Sequence, residues 1–319
     1  MTTDRAFVLG LDGAPWNLLE RWAEDGELPN FQRLLTEGAS GPLESTIPAT
    51  TAPAWPAIAT GVSPDKHGVY GFQRIGTSYR HRMNTSGDWR ATPMWERLSP
   101  AVVGNVPLTY PATEIDGKLV TGMMTPEPGE GFTHPPALAE EIAERVPDYA
   151  IGLDWGEYAD RQQAFLDDLD GLLANRVELL ELLMETEDWE LFFFVFTALD
   201  RLKHLVWDES VILDYYRTMD DVLGDVLDYV EERDATLYVV SDHGFGPISR
   251  IVHVNRLLES AGYLTRERES GTRGMLSSLG VTKSNVETWL GRSGIGQDAL
   301  VDYLPQAFVD MVALQVPGE

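Results

Sequence analysis

The sequence predicts an α/β fold, a mainly parallel central sheet with helices on both faces, and three observations lead there. Residues 6–11, Leu191–Phe196 and Ala235–Val240 are unbroken apolar runs of strand length. Each ends in a polar cluster: Asp12-Gly13, Thr197-Ala198-Leu199-Asp200 and Ser241-Asp242-His243-Gly244. Stretches with apolar residues at three- and four-residue spacing lie between these runs. An apolar run without alternation suits a strand buried on both faces. Strands that alternate with helices give a parallel sheet, whose ligands bind beyond the carboxyl ends of the strands. Asp12, Asp200 and Asp242 each stand at such an end.

In chain order, two short helices are expected over 15–23 and 30–36, after the first strand. Ala52-Pro53 opens a further helix, because proline is tolerated in a first turn, and Thr51 would be its N-cap. Between 71 and 135 the pattern loosens into short strands (101–106, 118–122) joined by Pro- and Gly-rich connections. That region reads as peripheral sheet with substrate-facing loops. Helical spacing returns over 136–146 and 159–185, and again over 211–232, where Leu213, Tyr216, Met219, Val222, Val226 and Val230 form one stripe. Residues 265–280 read as a loop or linker, followed by weak helices at 284–290 and 297–304. The expected organisation is a catalytic domain over 1–263, with 71–135 as an irregular insertion, and a linker with a weakly helical segment over 264–319.

Composition removes several classes of function. The 319 residues contain no cysteine, so disulfides, thiolate zinc sites and a cysteine nucleophile are excluded. Any transition metal must be held by Asp, Glu or the six histidines. With 51 acidic residues against 24 basic, the formal charge is −27, which opposes binding to a nucleic-acid polymer through a basic face. Only four of the basic residues are lysine. A carboxylate-rich, lysine-poor surface of this kind predicts a salt-adapted protein whose self-repulsion is screened by molar salt. No apolar stretch reaches the ~18 residues of a membrane helix. The first residues lack a signal peptide's basic and apolar regions, so the expected location is the cytoplasm. Oligomeric state is left open.

The polar clusters carry the chemistry. Asp242-His243 offers a hard oxygen beside a nitrogen, a pair suited to zinc, manganese or iron, although a turn-forming Asp beside a satisfied His is equally legible. Asp200 and His204, four residues apart at a strand-to-helix junction, fall on one helical face and could grip one ion; an N-cap Asp followed by a surface His is the plainer alternative. Thr51 offers a hydroxyl at a helix N-terminus, where backbone N–H groups face an anion.

Thr51-Ala52-Pro53-Ala54-Trp55, followed by Thr60-Gly61-Val62-Ser63-Pro64-Asp65-Lys66-His67-Gly68-Val69, resembles the nucleophile segment of the type I phosphodiesterase/nucleotide pyrophosphatase family, within the alkaline phosphatase superfamily. Gly10-Leu11-Asp12-Gly13, Asp200-x-x-x-His204 and Ser241-Asp242-His243-Gly244 follow in the family's order, so the match covers roughly residues 6–263. The resemblance implies an alkaline phosphatase-like fold and two divalent ions, Zn or Mn. It implies that Asp12, Thr51, Asp242 and His243 hold one ion, which activates the Thr51 hydroxyl. Asp200 and His204 would hold the other, which binds a phosphate oxygen. Thr51 would attack phosphorus and form a phospho-enzyme ester that water then hydrolyses. The implied partner is a small phosphoester, and His67 is assigned to structure.

Two departures accompany the resemblance. The nucleotide pyrophosphatase branch has an asparagine three residues after the nucleophile; here that position is Ala54, which leaves the substrate class open. The family's second metal site also takes a late C-terminal histidine, and no histidine follows His253. The alternative expectation is therefore a truncated, weakly active or non-catalytic relative that binds phosphate or metal. A sulfatase is disfavoured, since Thr51-Ala52-Pro53-Ala54-Trp55 is not the Cys/Ser-x-Pro-x-Arg pattern of those enzymes. A phosphoglycerate mutase-like activity would use serine and a richer Lys/Arg clamp.

Overall fold

Apolar runs that alternate between two cores build the sheet of this protein, whose computed structural model describes residues 5–76, 80–153, 158 and 161–265. The chain opens with β1 (Arg5–Leu11), α1 (Trp16–Glu24), α2 (Pro29–Glu37), α3 (Thr51–Thr60) and the single turn α4 (Pro64–His67). A small hairpin of β2 (Gln73–Ile75) and β3 (His81–Met83) precedes β4 (Ala101–Val106), β5 (Gly117–Thr121) and β6 (Thr133–His134). Then come α5 (Leu138–Arg145), α6 (Gln162–Met184), β7 (Leu191–Phe196), α7 (Ala198–Leu205), α8 (Glu209–Glu232) and β8 (Ala235–Val240). By contacts the chain divides into residues 1–247 and 248–319; in the second unit the described helix is α9 (Val254–Ser260). The expected helices at 284–290 and 297–304 lie outside the described residues, as does almost all of the expected linker.

The strand order is β6-β5-β4-β7-β1-β8, parallel throughout except for β6 against β5. This is the mainly parallel α/β sheet that the apolar runs predict. One expectation changes: β4 lies inside the sheet between β5 and β7, completely buried, not at the periphery. Its loose sequence context hid it, because flanking Pro- and Gly-rich connections dilute a six-residue signal.

Successive side chains of a strand point to opposite faces, and here both faces are covered. Phe7, Leu9 and Leu11 of β1 and Phe192, Phe194 and Phe196 of β7 pack into one core with α1, α2, α6, α7 and α8. Val8, Phe193 and Val195 pack into a second, smaller core with Trp55 and Ala59 of α3 and with Trp95. Phe7 stacks on Phe192 at 4.4 Å, with Trp189 and Tyr229 edge-on to both rings. Burying a side chain of this size stabilises the fold by about 1.5–3 kcal/mol. Helix α2 lacks its own capping side chain, and Asp220 of α8 replaces it by accepting from the Asn30 and Phe31 N–H groups at 3.1 and 2.8 Å.

Register then positions the chemistry. β1 lies between β7 and β8, with Leu11 opposite Phe196 and Gly10 opposite Val240. The carboxyl ends of three adjacent strands therefore converge, and Asp12, Asp200 and Asp242 follow them.

Candidate metal and nucleophile site

Asp12, at the end of β1, is fully buried. It owes its position to a close approach of α3: Gly10 leaves space for Trp55, whose ring Cη2 would lie 2.4 Å from a Cβ built at Gly10. The Trp55 indole N–H donates to Asp12 Oδ2 at 3.0 Å, leaving Oδ1 to face the site. Gly13 turns the chain with φ at +65°, and a Cβ there would sit 3.1 Å from Asp200 Cβ. Its N–H donates to Asp242 Oδ1 at 3.0 Å. One dipeptide thus touches both of the other carboxylates.

Thr51 corrects the expectation of an N-cap. The cap position of α3 belongs to Thr50, which makes no side-chain capping bond, and Thr51 is the first helical residue. Its hydroxyl is therefore not committed to the helix. It donates to Asp12 Oδ1 at 3.4 Å and lies 3.1 Å from His243 Nε2. In the first turn of α3 the Thr51 and Ala52 amides have no intrahelical acceptor, and Pro53 has no N–H.

Asp200 stands in the first turn of α7 and presents its two oxygens in different directions. Oδ2 lies 3.4 Å from His204 Nε2, one turn along the helix, and Oδ1 lies 3.9 Å from His243 Nε2. The plain N-cap reading of Asp200 does not apply, since Thr197 holds that position. His204 is half-exposed and meets Phe245 edge-on at 5.0 Å. His243 Nε2 also lies 3.5 Å from Asp12 Oδ1 and 3.4 Å from Asp242 Oδ2, while its Nδ1 faces the Gly244 carbonyl at 2.8 Å. That contact fixes the ring and leaves Nε2 pointing into the cluster. The loop is tied down by Ser241, which accepts from Ala14 N and donates to His243 O, and by Ser45, which donates to Asp242 O. His67, by contrast, is buried in α4, where its Nδ1 accepts the Val69 N–H at 3.2 Å.

The electrostatics of this arrangement call for a cation. Asp12, Asp200 and Asp242 are all at most 3% exposed. Asp200 Oδ1 and Asp242 Oδ2 have no hydrogen-bond partner among the described residues. Burial, reinforced by Asp242 and Asp200, holds the Asp12 carboxyl well above its usual range, and burial pushes Asp242 up to about 7. The hydrogen bond from His204 to Asp200 raises the imidazole's pKa. Lys203 Nζ donates to the Leu199 carbonyl and Arg201 Nε donates to Thr197 Oγ, so both cations act on the carboxylates through space. Buried like charges are expensive unless a cation joins them. Asp12, Asp200 and His243 each offer one atom within 4.8 Å of the others, a possible metal site. Carboxylate and imidazole donors of this kind fit a divalent ion.

All six residues expected at the site converge there. The sequence reading missed Trp55 as the partner of Asp12, and Ser45 and Ser241 as loop anchors. Gly10 in a buried strand was the available signal for Trp55, because a glycine there marks a close approach. No comparable signal marks the two serines.

No curated protein matches the chain significantly. Among solved structures, phosphonoacetate hydrolase from Sinorhizobium meliloti 1021 in complex with phosphonoformate shares the fold, with a TM-score of 0.51 at 19% identity, covering 81% of this chain and 62% of that one. The same enzyme in complex with phosphonoacetate gives a TM-score of 0.51 at 18% identity, covering 82% of this chain and 63% of that one. The chain thus spans less than two thirds of the length of these structures. The family model described as type I phosphodiesterase / nucleotide pyrophosphatase matches residues 6–298. The mainly parallel sheet, the cluster at its strand ends and this match over nearly the whole chain lead to one conclusion: the protein belongs to the type I phosphodiesterase/nucleotide pyrophosphatase family.

Proposed function

We propose that the protein is a metal-dependent hydrolase of small phosphodiesters or pyrophosphates in which Thr51 forms a transient phospho-enzyme ester. The observation that carries this reading is the Thr51 hydroxyl, free of any capping role and 3.1 Å from His243 Nε2 among three buried carboxylates. Asp12, Asp242 and His243, together with the Thr51 oxygen, would hold one divalent ion, and Asp200 with His204 would hold a second; Zn and Mn are the favoured metals. Such ions supply positive charge that makes a hydroxyl more acidic and neutralises phosphoryl oxygens.

The chain's own groups do the rest. Trp55 orients Asp12, and the Gly13 amide orients Asp242, so neither carboxylate has to reorganise during reaction. The first-turn amides of Thr51 and Ala52, which have no intrahelical acceptor, favour a phosphoryl group at the head of α3. Thr51 Oγ gives up its proton as it forms a bond to phosphorus, the phosphorus–oxygen bond to the leaving alcohol or phosphate breaks, and the leaving oxygen takes up a proton. Water then attacks phosphorus and Thr51 leaves with its proton restored. The acidic, lysine-poor composition favours assays in molar salt.

The test is hydrolysis of bis-p-nitrophenyl phosphate in molar KCl with added Zn or Mn. Turnover by the wild type that disappears in Thr51→Ala and with chelator supports the reading. A Thr51→Ala variant as active as wild type sinks it. Elemental analysis counts the ions: two per chain supports the assignment, while one or none, together with no turnover, favours a non-catalytic metal- and phosphate-binding relative.

A further inference from the structure

A cavity of about 1160 Å³ opens beside the cluster. It is larger than the roughly 300–1,000 Å³ of most small-molecule sites. Its charged end is formed by Asp200, Arg201 and His204, next to Thr51. Phe72 just before β2, Met83 at the end of β3, Met123 and Met124 after β5 and Leu153 after α5 contribute an apolar wall, with Leu205 closing it from α7. Met83, Met124 and Leu205 are 37%, 36% and 45% exposed, a notable apolar surface in so acidic a protein. Methionine's unbranched thioether adapts to flexible apolar ligands.

The cavity offers little to a nucleoside. The Tyr149 ring already packs on Phe132 at 6.1 Å and beneath the Arg176 guanidinium at 4.7 Å, so Phe72 is the aromatic surface left among the described lining residues. Glu127 adds a carboxylate to the wall, which opposes a polyanion. Met124 is also held deliberately. Its backbone has φ at +78°, where a methionine is rarely found, and Leu108 N donates to Met123 O at 3.0 Å while Thr125 N donates to Gly122 O at 3.1 Å. Backbone strain of this kind persists where surrounding structure imposes it, and it gathers at ligand sites.

We propose that this cavity is the specificity site and that it takes an alkyl arm, so that the substrates are phosphoesters carrying an aliphatic chain of several carbons. The inference rests on the hydrolase reading above and names the substrate class for that same site.

The test compares kcat/KM for octyl p-nitrophenyl phosphate, methyl p-nitrophenyl phosphate and the p-nitrophenyl ester of a nucleoside monophosphate. Each methylene taken from water into the cavity multiplies affinity about fourfold, the equivalent of about 0.8 kcal/mol. The octyl ester is expected to exceed the methyl ester by at least about tenfold, since burial of only two methylenes suffices. Met124→Gly, which removes part of the wall while relaxing a left-handed backbone, is expected to lower the octyl-to-methyl ratio about threefold or more. Equal kcat/KM for the octyl and methyl esters, or preference for the nucleoside ester, overturns the proposal. If no ester is hydrolysed, the hydrolase reading falls, and calorimetry with octylphosphonate and methylphosphonate decides the cavity. Tighter binding of the octyl compound supports the alkyl site, and equal binding refutes it.

Discussion

Replacing Asp242 by asparagine should stabilise the metal-stripped protein at alkaline pH and weaken the metal-loaded one. Asp242 is 2% exposed, its Oδ1 accepts the Gly13 N–H at 3.0 Å, and its Oδ2 has no hydrogen-bond partner among the described residues. Burial is the main cause that lifts its carboxyl from the ordinary 3.8 to about 7, and Asp200 adds to it. A carboxyl whose pKa is raised by folding contributes full stability below its unfolded value. That contribution is lost as pH rises through the folded value. The window here is pH 4 to about 7, and at about 1.4 kcal/mol per unit the loss has a ceiling of about 4 kcal/mol. Asparagine keeps the acceptor for Gly13 and carries no charge, so it avoids this loss. Allowing half of the ceiling for relaxation and water entry gives about 2 kcal/mol, or about 4 °C in Tm for a chain of this size. The assay is a melting series in molar KCl with chelator at pH 5 and pH 8. The variant should melt higher at pH 8, with the gap closing at pH 5. Added Zn or Mn should reverse the order, because an ion at one hundred times its Kd stabilises the competent wild type by about 2.7 kcal/mol. A variant that melts below wild type at pH 8 in chelator would refute the account of a repulsive carboxylate cluster.

Other outcomes follow from single contacts. Gly10→Ala places a Cβ 2.4 Å from the Trp55 ring, and the resulting overpacking should cost about 1–3 kcal/mol in urea unfolding while displacing the ring that holds Asp12. Trp55→Phe removes the indole N–H from Asp12 Oδ2, and calorimetric titration should show metal affinity falling about 10–100-fold. Affinity unchanged within about twofold would dismiss that positioning role. Asp220→Ala deprives the Asn30 and Phe31 amides of their acceptor and should cost about 1–2 kcal/mol of stability, with kcat on bis-p-nitrophenyl phosphate unchanged below the melting range.

The strands that carry the site were legible because their sequences are extreme. Leu191–Phe196 is apolar at every position, since its alternate side chains enter two cores and neither face meets water. The acidic residues after each run then pointed to the crevice at the strand ends. Helices α1, α2, α6 and α8 agree with the expected spans within three residues at either end, their stripes being set by one buried face each. What sequence spacing could not give is contact across long separations. Thr51 was read as a cap because a threonine before Ala-Pro has the right local chemistry; only Asp12 and His243, 39 and 192 residues away, show that its hydroxyl faces elsewhere. The left-handed backbone of Asn105, Leu108 and Met124 was equally hidden, as none is a residue type that advertises positive φ as glycine does, apart from the asparagine.

The strand order has a further consequence for assembly during synthesis. β1 and β7 can pair only once residue 196 has been made, which would bring Asp12 within reach of the start of α7, and β8 can supply the other flank of β1 only after residue 240. The contact between Gly13 and Asp242 closes a loop of 229 residues. On the proposed ligand assignment, a nascent chain that stops short of β8 would hold a partial ligand set, and strong capture of a metal ion would wait for the last strand of the described sheet. Ion uptake would act as a late lock on the finished topology, drawing the equilibrium toward chains in which all three strands have found their register.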